Sequence, residues 1–293
     1  MNSYFFSHAT TIARAIRYPV VAYRLLRMAL CTQDPTVLGR LRWWRGGLAR
    51  LPLVEIAPGI EAQDISLLRA FDRDTKLSVT LTELAALVAI ARYIGAKRIL
   101  EVGTWDGNTS ANLAANTAAC VVTIDLPPAF NPNREKLALS DNRRLNLGPR
   151  AELGRQIYAC GVEENVAQIH GDSASIDWST LGGQFDLVFI DGCHDGPYVV
   201  SDTENALSVL SEQGVIVWHD YGMITSVSEE VDRFVAVHKY RDFAVVQGTR
   251  LCVSARALPL SPSGDTPPDG SLNCDRIASN AALLSSESGN TIA

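Results

Sequence analysis

Residues 98–107, RILEVGTWDG, constrain this chain more than any other stretch. Ile99, Leu100 and Val102 form a short apolar run without polar alternation, a glycine-bounded turn follows, and the helix-compatible SANLAAN begins at Ser110. The pattern predicts a buried strand, a tight loop and a helix, which is the entrance of a nucleotide-type ligand site. Its spacing, Glu101-x-Gly103-x-x-x-Gly107, departs from the dinucleotide fingerprint G-x-G-x-x-G, because Trp105 and Asn108 stand where that fingerprint needs glycines. An indole where backbone must approach a pyrophosphate argues against NAD or FAD, and the lack of Gly-Lys-Ser/Thr argues against a phosphate-cradling loop. The expected ligand carries no phosphates.

Downstream, strand and helix signals alternate, which predicts parallel crossovers. Val121 to Ile124 reads as a strand ending at Asp125, 22 residues beyond Gly103 and placed to accept hydrogen bonds from ribose hydroxyls. Val166 to His170 is a third strand, followed by Gly171-Asp172-Ser173; Asp172 suits an adenine amino group, and His170 reads as a packed core residue. Asp186 to Ile190 is a buried strand ending in Asp191-Gly192-Cys193-His194. After a helix over 199–210, Val215 to Trp218 is a strand ending in His219-Asp220-Tyr221.

If those last two strands are neighbours, their carboxyl ends lie about 5 Å apart. Asp191, His194, His219 and Asp220 then converge on one rim beside Gly103. Two chemical uses follow. Asp191 and Asp220 are hard oxygen ligands for magnesium or calcium, and His219 as a third ligand leans toward manganese or another transition ion. Alternatively, His194 removes a proton from an acceptor hydroxyl. A plainer reading leaves the acids as loop caps and the histidines bonded to backbone.

Around this centre, Thr80-Leu81-Thr82-Glu83 is a capping box opening a helix that runs to Gly95, and Ser226-x-x-Glu229 reads as a second cap. Residues 127–168 form a long charged connection with a helix expected over 151–160, an insertion suited to shaping an acceptor pocket. Residues 1–79 read as a basic helical extension and linker: 1–50 hold eight arginines, no lysine and Asp34 alone as an acid. That segment reads as packing on the core or on a partner subunit of a homo-oligomer, as resting on an anionic membrane surface, or as a transit peptide. Residues 256–293 turn to Ser, Pro, Gly, Asp and Asn and read as a disordered tail. The net charge of −6 gives no reason to expect nucleic acid, and six scattered cysteines without a C-x-x-C pair fit a reducing cytoplasm.

Taken in order, Glu101-Val-Gly-Thr-Trp-Asp-Gly107, Thr123-Ile-Asp-Leu126, Gly171-Asp-Ser173, Phe189-Ile-Asp-Gly-Cys-His194 and Trp218-His-Asp-Tyr221 resemble class I S-adenosylmethionine (SAM)-dependent methyltransferases. The likeness is to the bacterial branch with Asp-Gly-x-His and His-Asp-Tyr motifs, and it covers residues 80–255. It implies an α/β, Rossmann-like three-layer sandwich with a seven-stranded, mostly parallel sheet, one strand antiparallel, closed by a hairpin around Gly248. By the same resemblance Glu101, Gly103, Thr104 and Gly107 contact the methionine part of SAM, Asp125 and Leu126 the ribose and adenine, and Asp172 and Ser173 the adenine end. Asp191 lies near the methyl group, and Asp191 and His194 carry the chemistry on a hydroxyl of a small-molecule acceptor such as a sugar or phenol. Related O-methyltransferases bind a metal through Asp-Asp or Asp-Asn at these strand ends. This chain has His219-Asp220, so the expected set for magnesium or manganese is Asp191, His219 and Asp220. A non-catalytic cofactor-binding module and a metal-dependent oxygenase on the same fold are the rival readings.

Overall fold

The computed structural model describes Tyr23 and residues 48–69, 79–139 and 152–262. Eight strands form one sheet in the order β1-β7-β8-β6-β5-β2-β3-β4. They are β1 (Arg50–Leu51), β2 (Arg98–Val102), β3 (Cys120–Asp125), β4 (Val166–His170), β5 (Phe185–Ile190), β6 (Leu210–Trp218), β7 (Asp242–Val246) and β8 (Cys252–Ala255). Only β8 runs antiparallel to its neighbours, as the hairpin around Gly248 predicts.

The expected count of seven strands is corrected by β1, which lies in the stretch read as linker. Two residues before a proline carry no periodic signal, yet they complete the edge of β7: Val245 N–H donates to Ala49 C=O and Gln247 N–H to Leu51 C=O. An open sheet edge leaves a row of unpaired backbone groups, and this short segment covers it. The residues just after β1 also pack on the domain, with Ile56 and Ala57 fully buried. Leu260, inside the expected tail, is buried as well and its N–H donates to Ile56 C=O. Residues 1–47 apart from Tyr23, residues 70–78 and residues 263–293 lie outside the described residues.

Strand residues alternate between two faces, and the apolar ones divide accordingly. Ile99, Val121, Leu187, Phe189, Val215 and Val217 pack with α2 (Leu81–Tyr93) and α3 (Asn108–Asn116). Leu100, Val122, Val188, Ile216 and Trp218 pack on the opposite face with α5 (Gly196–Val209) and α6 (Thr225–Val237). Two short helices, α1 (Leu53–Ile56) and α4 (Arg155–Ala159), complete the set described. The result is a three-layer, Rossmann-like sandwich whose strand carboxyl ends form one rim. Among the described residues no helix is long and apolar enough to cross a membrane.

The capping box at Thr80 forms as predicted, with Thr80 Oγ1 accepting from Glu83 N–H while Thr80 N–H donates back to the Glu83 carboxylate. The cap expected at Ser226 does not form. Helix α6 has Ile224 at its N-cap without a side-chain bond, and Ser226 Oγ donates to the His194 carbonyl at 2.6 Å.

Candidate active site at the strand carboxyl ends

The loop after β2 is shaped by close approach. Gly103 has φ +99°, and a Cβ placed there would meet the Asp191 carbonyl oxygen at 2.2 Å, so this glycine lets the β2 and β5 loops touch. Trp105 adopts the left-handed region at φ +48°, which costs a non-glycine residue about 1–3 kcal/mol and persists only where neighbours fix it. Its N–H donates to Asp125 Oδ2 at 2.9 Å, and its carbonyl accepts from Gly154 N–H at 2.8 Å. The segment entering α4 therefore clamps the loop, while the indole stays partly exposed. Glu101 is buried, with Ser110 Oγ and Thr123 Oγ1 donating to its Oε2. Burial pushes its carboxyl up to about 8, so it is largely neutral at pH 7. Thr104 Oγ1 lies 2.7 Å from Thr123 Oγ1, and Gly107, at φ +80°, caps α3.

Pairing of β3 with β4 sets Asp125 beside His170 and brings Asp125 and Asp172 to adjacent strand ends. Asp125 Oδ1 accepts from Leu126 N–H at 2.7 Å. Asp172 accepts from the Tyr198 hydroxyl at 2.9 Å on each oxygen, and from Ala138 N–H at 2.8 Å. Ser173, partly buried, uses its carbonyl to accept from Trp178 Nε1. Tyr198, on α5, carries no motif that sequence reading could have used. His170, expected in the core, is exposed: it is the last residue of an edge strand.

The rim expected from β5 and β6 assembles. These strands pair through Ile190 and Trp218, which puts Asp191 and His219 side by side. His219 Nδ1 is 2.9 Å from Asp191 Oδ1, and its Nε2 is 3.2 Å from Glu83 Oε2. Asp220, at φ +57°, turns its carboxylate back: Oδ1 accepts from Arg250 Nη1 at 2.7 Å, and Oδ2 lies 3.2 Å from His194 Nε2. Arg250 also donates to Glu83, from Nε at 2.9 Å and from Nη2 at 2.7 Å. Glu83 was legible only as a helix cap and Arg250 not at all.

Electrostatics follow from these contacts. Burial alone would lower the imidazole values, but Asp191 and Asp220 hold His194 up to about 9, and Asp191, Glu83 and Asp220 hold His219 up to about 10. Burial would raise the acids; His219 with His194 instead holds Asp191 at about 2, and His219 with Arg250 holds Glu83 far below the ordinary range. Asp202 is different: it is fully buried on α5 and burial pushes it up to about 7.

Donor atoms of Asp191, His219 and Asp220 lie within 4.8 Å of one another, a spacing that by itself would suit a cation. The same atoms already have partners: His219 Nδ1 faces Asp191 and its Nε2 faces Glu83, an arrangement that favours a proton on each ring nitrogen, while Asp220 Oδ1 is held by Arg250. The expected metal set is gathered in space with its donor atoms engaged by neighbouring side chains.

Residues 100–221 match the family model described as a methyltransferase domain. No curated protein sequence matches the chain. A Staphylococcus aureus structure assigned as a caffeoyl-CoA O-methyltransferase is similar at 17% identity and TM-score 0.50, over 68% of this chain and 92% of that one. A Klebsiella pneumoniae structure assigned as an O-methyltransferase is similar at 17% identity and TM-score 0.46, over 78% and 93%. The tomaymycin-synthesis O-methyltransferase of Streptomyces achromogenes, solved with SAM, is similar at 19% identity and TM-score 0.45, over 74% and 94%. The likeness to the Staphylococcus aureus structure shows a Rossmann-like methyltransferase fold.

Proposed function

We propose that this chain is a SAM-dependent methyltransferase acting on a hydroxyl of a small molecule such as a sugar or phenol. The observation that carries the reading is the meeting of the Gly103 loop with the Asp191–His194 loop at the strand ends, within the stretch that matches a methyltransferase domain. The residues present fit a phosphate-free nucleoside. Asp125 and Asp172 are acceptors at adjacent strand ends, and the loop that would cradle a pyrophosphate is occupied by the clamped Trp105. When bound, SAM supplies an electrophilic methyl on its sulfonium, so the protein's task is positioning and proton management.

His194 is the proton acceptor in this reading. Its Nε2–H is turned to Asp220, its backbone carbonyl is held by Ser226, and the half-exposed ring leaves Nδ1 to take the acceptor's proton. Asp220 orients the imidazole and stabilises the charge it gains, as a carboxylate does for a catalytic histidine elsewhere. The metal-dependent oxygenase alternative needs open coordination positions, and the doubly bonded His219 ring speaks against them. Calorimetric titration with SAM and with S-adenosylhomocysteine tests the proposal. Saturable binding of both, weakened at least tenfold by Asp125→Ala, is expected; failure of both to bind overturns it.

A further inference from the structure

Two carboxylates at neighbouring strand ends repel each other, and something must neutralise them. The charged groups around them come from four places in the chain. Helix α2 contributes Glu83, the end of β5 Asp191 and His194, the end of β6 His219 and Asp220, and the turn before β8 Arg250. Glu101 on β2 also faces Asp191, but it stays largely protonated. Three acids therefore meet the Arg250 guanidinium and two imidazoles, and the charge closes when both rings are protonated.

We propose that His219 and Arg250, fixed by Glu83, are a built-in counter-ion set that takes the place of a divalent cation between the strand-end acids, so that the site works without a metal. Turnover without a metal rests on the methyl-transfer reading, while the counter-ion assignment rests on the contacts of Glu83, His219, Asp220 and Arg250. Glu83 and Arg250 are positioning residues. Glu83 bonds both His219 Nε2 and the Arg250 side chain, and Arg250 reaches over to the left-handed Asp220. A divalent ion entering this set would have to displace the His219 ring from Asp191 and compete with Arg250 for Asp220.

The test is Mn²⁺ titration of the full chain, followed by electron paramagnetic resonance, with and without S-adenosylhomocysteine. The wild type is expected to show no saturable site tighter than about 1 mM, the weak end of protein cation sites. His219→Asp, which swaps a cation for an acid, is expected to gain affinity at least tenfold. Nitrogen-15 spectra of the wild type should show both His219 ring nitrogens protonated, and Glu83→Gln should move the Nε2–H resonance while circular dichroism is kept. A stoichiometric Mn²⁺ site in the wild type that Asp191→Asn removes overturns the proposal, as does a singly protonated His219. Should His219→Asp not fold, the wild-type titration and spectra still decide. Absence of S-adenosylhomocysteine binding in the same samples strikes the methyl-transfer reading and leaves the metal result readable.

Discussion

Glu83, in the first turn of α2, and His219, at the end of β6, are 136 residues apart and meet at 3.2 Å in the interior. Glu83 thereby does two jobs, capping a helix and holding an imidazolium. Removing one partner of a buried ion pair costs about 3–5 kcal/mol, because the other charge is left without compensation. Glu83→Ala is expected to destabilise by at least about 3 kcal/mol in urea unfolding. Thr80→Ala removes only the cap and should cost about 1 kcal/mol. Equal losses in the two variants would show that Glu83 matters as a cap alone.

Gly103→Ala places a methyl group against the Asp191 carbonyl at a φ of +99°. Strain and overlap add, so the loop must move away from the β5 end. At least about 2 kcal/mol of destabilisation and a tenfold or larger loss of S-adenosylhomocysteine affinity are expected. Gly183 is the control: its φ is +118°, with nothing within 4 Å of the added Cβ. Gly183→Ala should cost the backbone strain and leave binding alone; equal binding losses would mean that the Gly103 contact is not what shapes the site.

The central strands themselves were legible because each is a largely apolar run closed by a glycine, an acid or a histidine, and burial enforces that pattern. The gathering of Asp191, His194, His219 and Asp220 followed from one assumption, that β5 and β6 pair. What escaped reading depends on long-range partners. Nothing local tells that Arg250, after a hairpin glycine, turns inward to Glu83, or that the Tyr198 hydroxyl finds Asp172. Strand β1 escaped for another reason: two residues have no period, and their structure is dictated by the edge they cover. Ser226 had the sequence of a cap, but the His194 carbonyl competed successfully for its hydroxyl.

Glu101 gives a pH dependence of stability. Its folded-state value of about 8 lies above the ordinary 4.5, so the folded protein keeps a proton that the unfolded chain releases. The stability this supplies is complete below pH 4.5 and is lost as pH rises through 8. His219 acts in the same direction higher up, from its ordinary 6.5 to about 10. Urea unfolding from about pH 5 to about pH 9 should therefore show falling stability, and Glu101→Gln should flatten the lower part of that slope. An unchanged slope in the variant would remove Glu101 as its cause.

His194, held up to about 9, is mostly protonated at pH 7. As a base it acts only through the small neutral fraction, so turnover with any hydroxyl acceptor should rise about tenfold per pH unit and level off near pH 9. Asp220 is among the groups that hold the value up, and Asp220→Asn should move the midpoint downward while lowering the plateau, since a weaker base takes a proton less readily. His194→Ala should cost about 10²–10⁴ in kcat with SAM affinity kept. A base and a scaffold residue differ in the pH profile: a scaffold residue changes affinity or stability and leaves that profile where it was. A rate independent of pH between about 6 and 9, together with an unchanged midpoint in Asp220→Asn, would assign the proton to another acceptor.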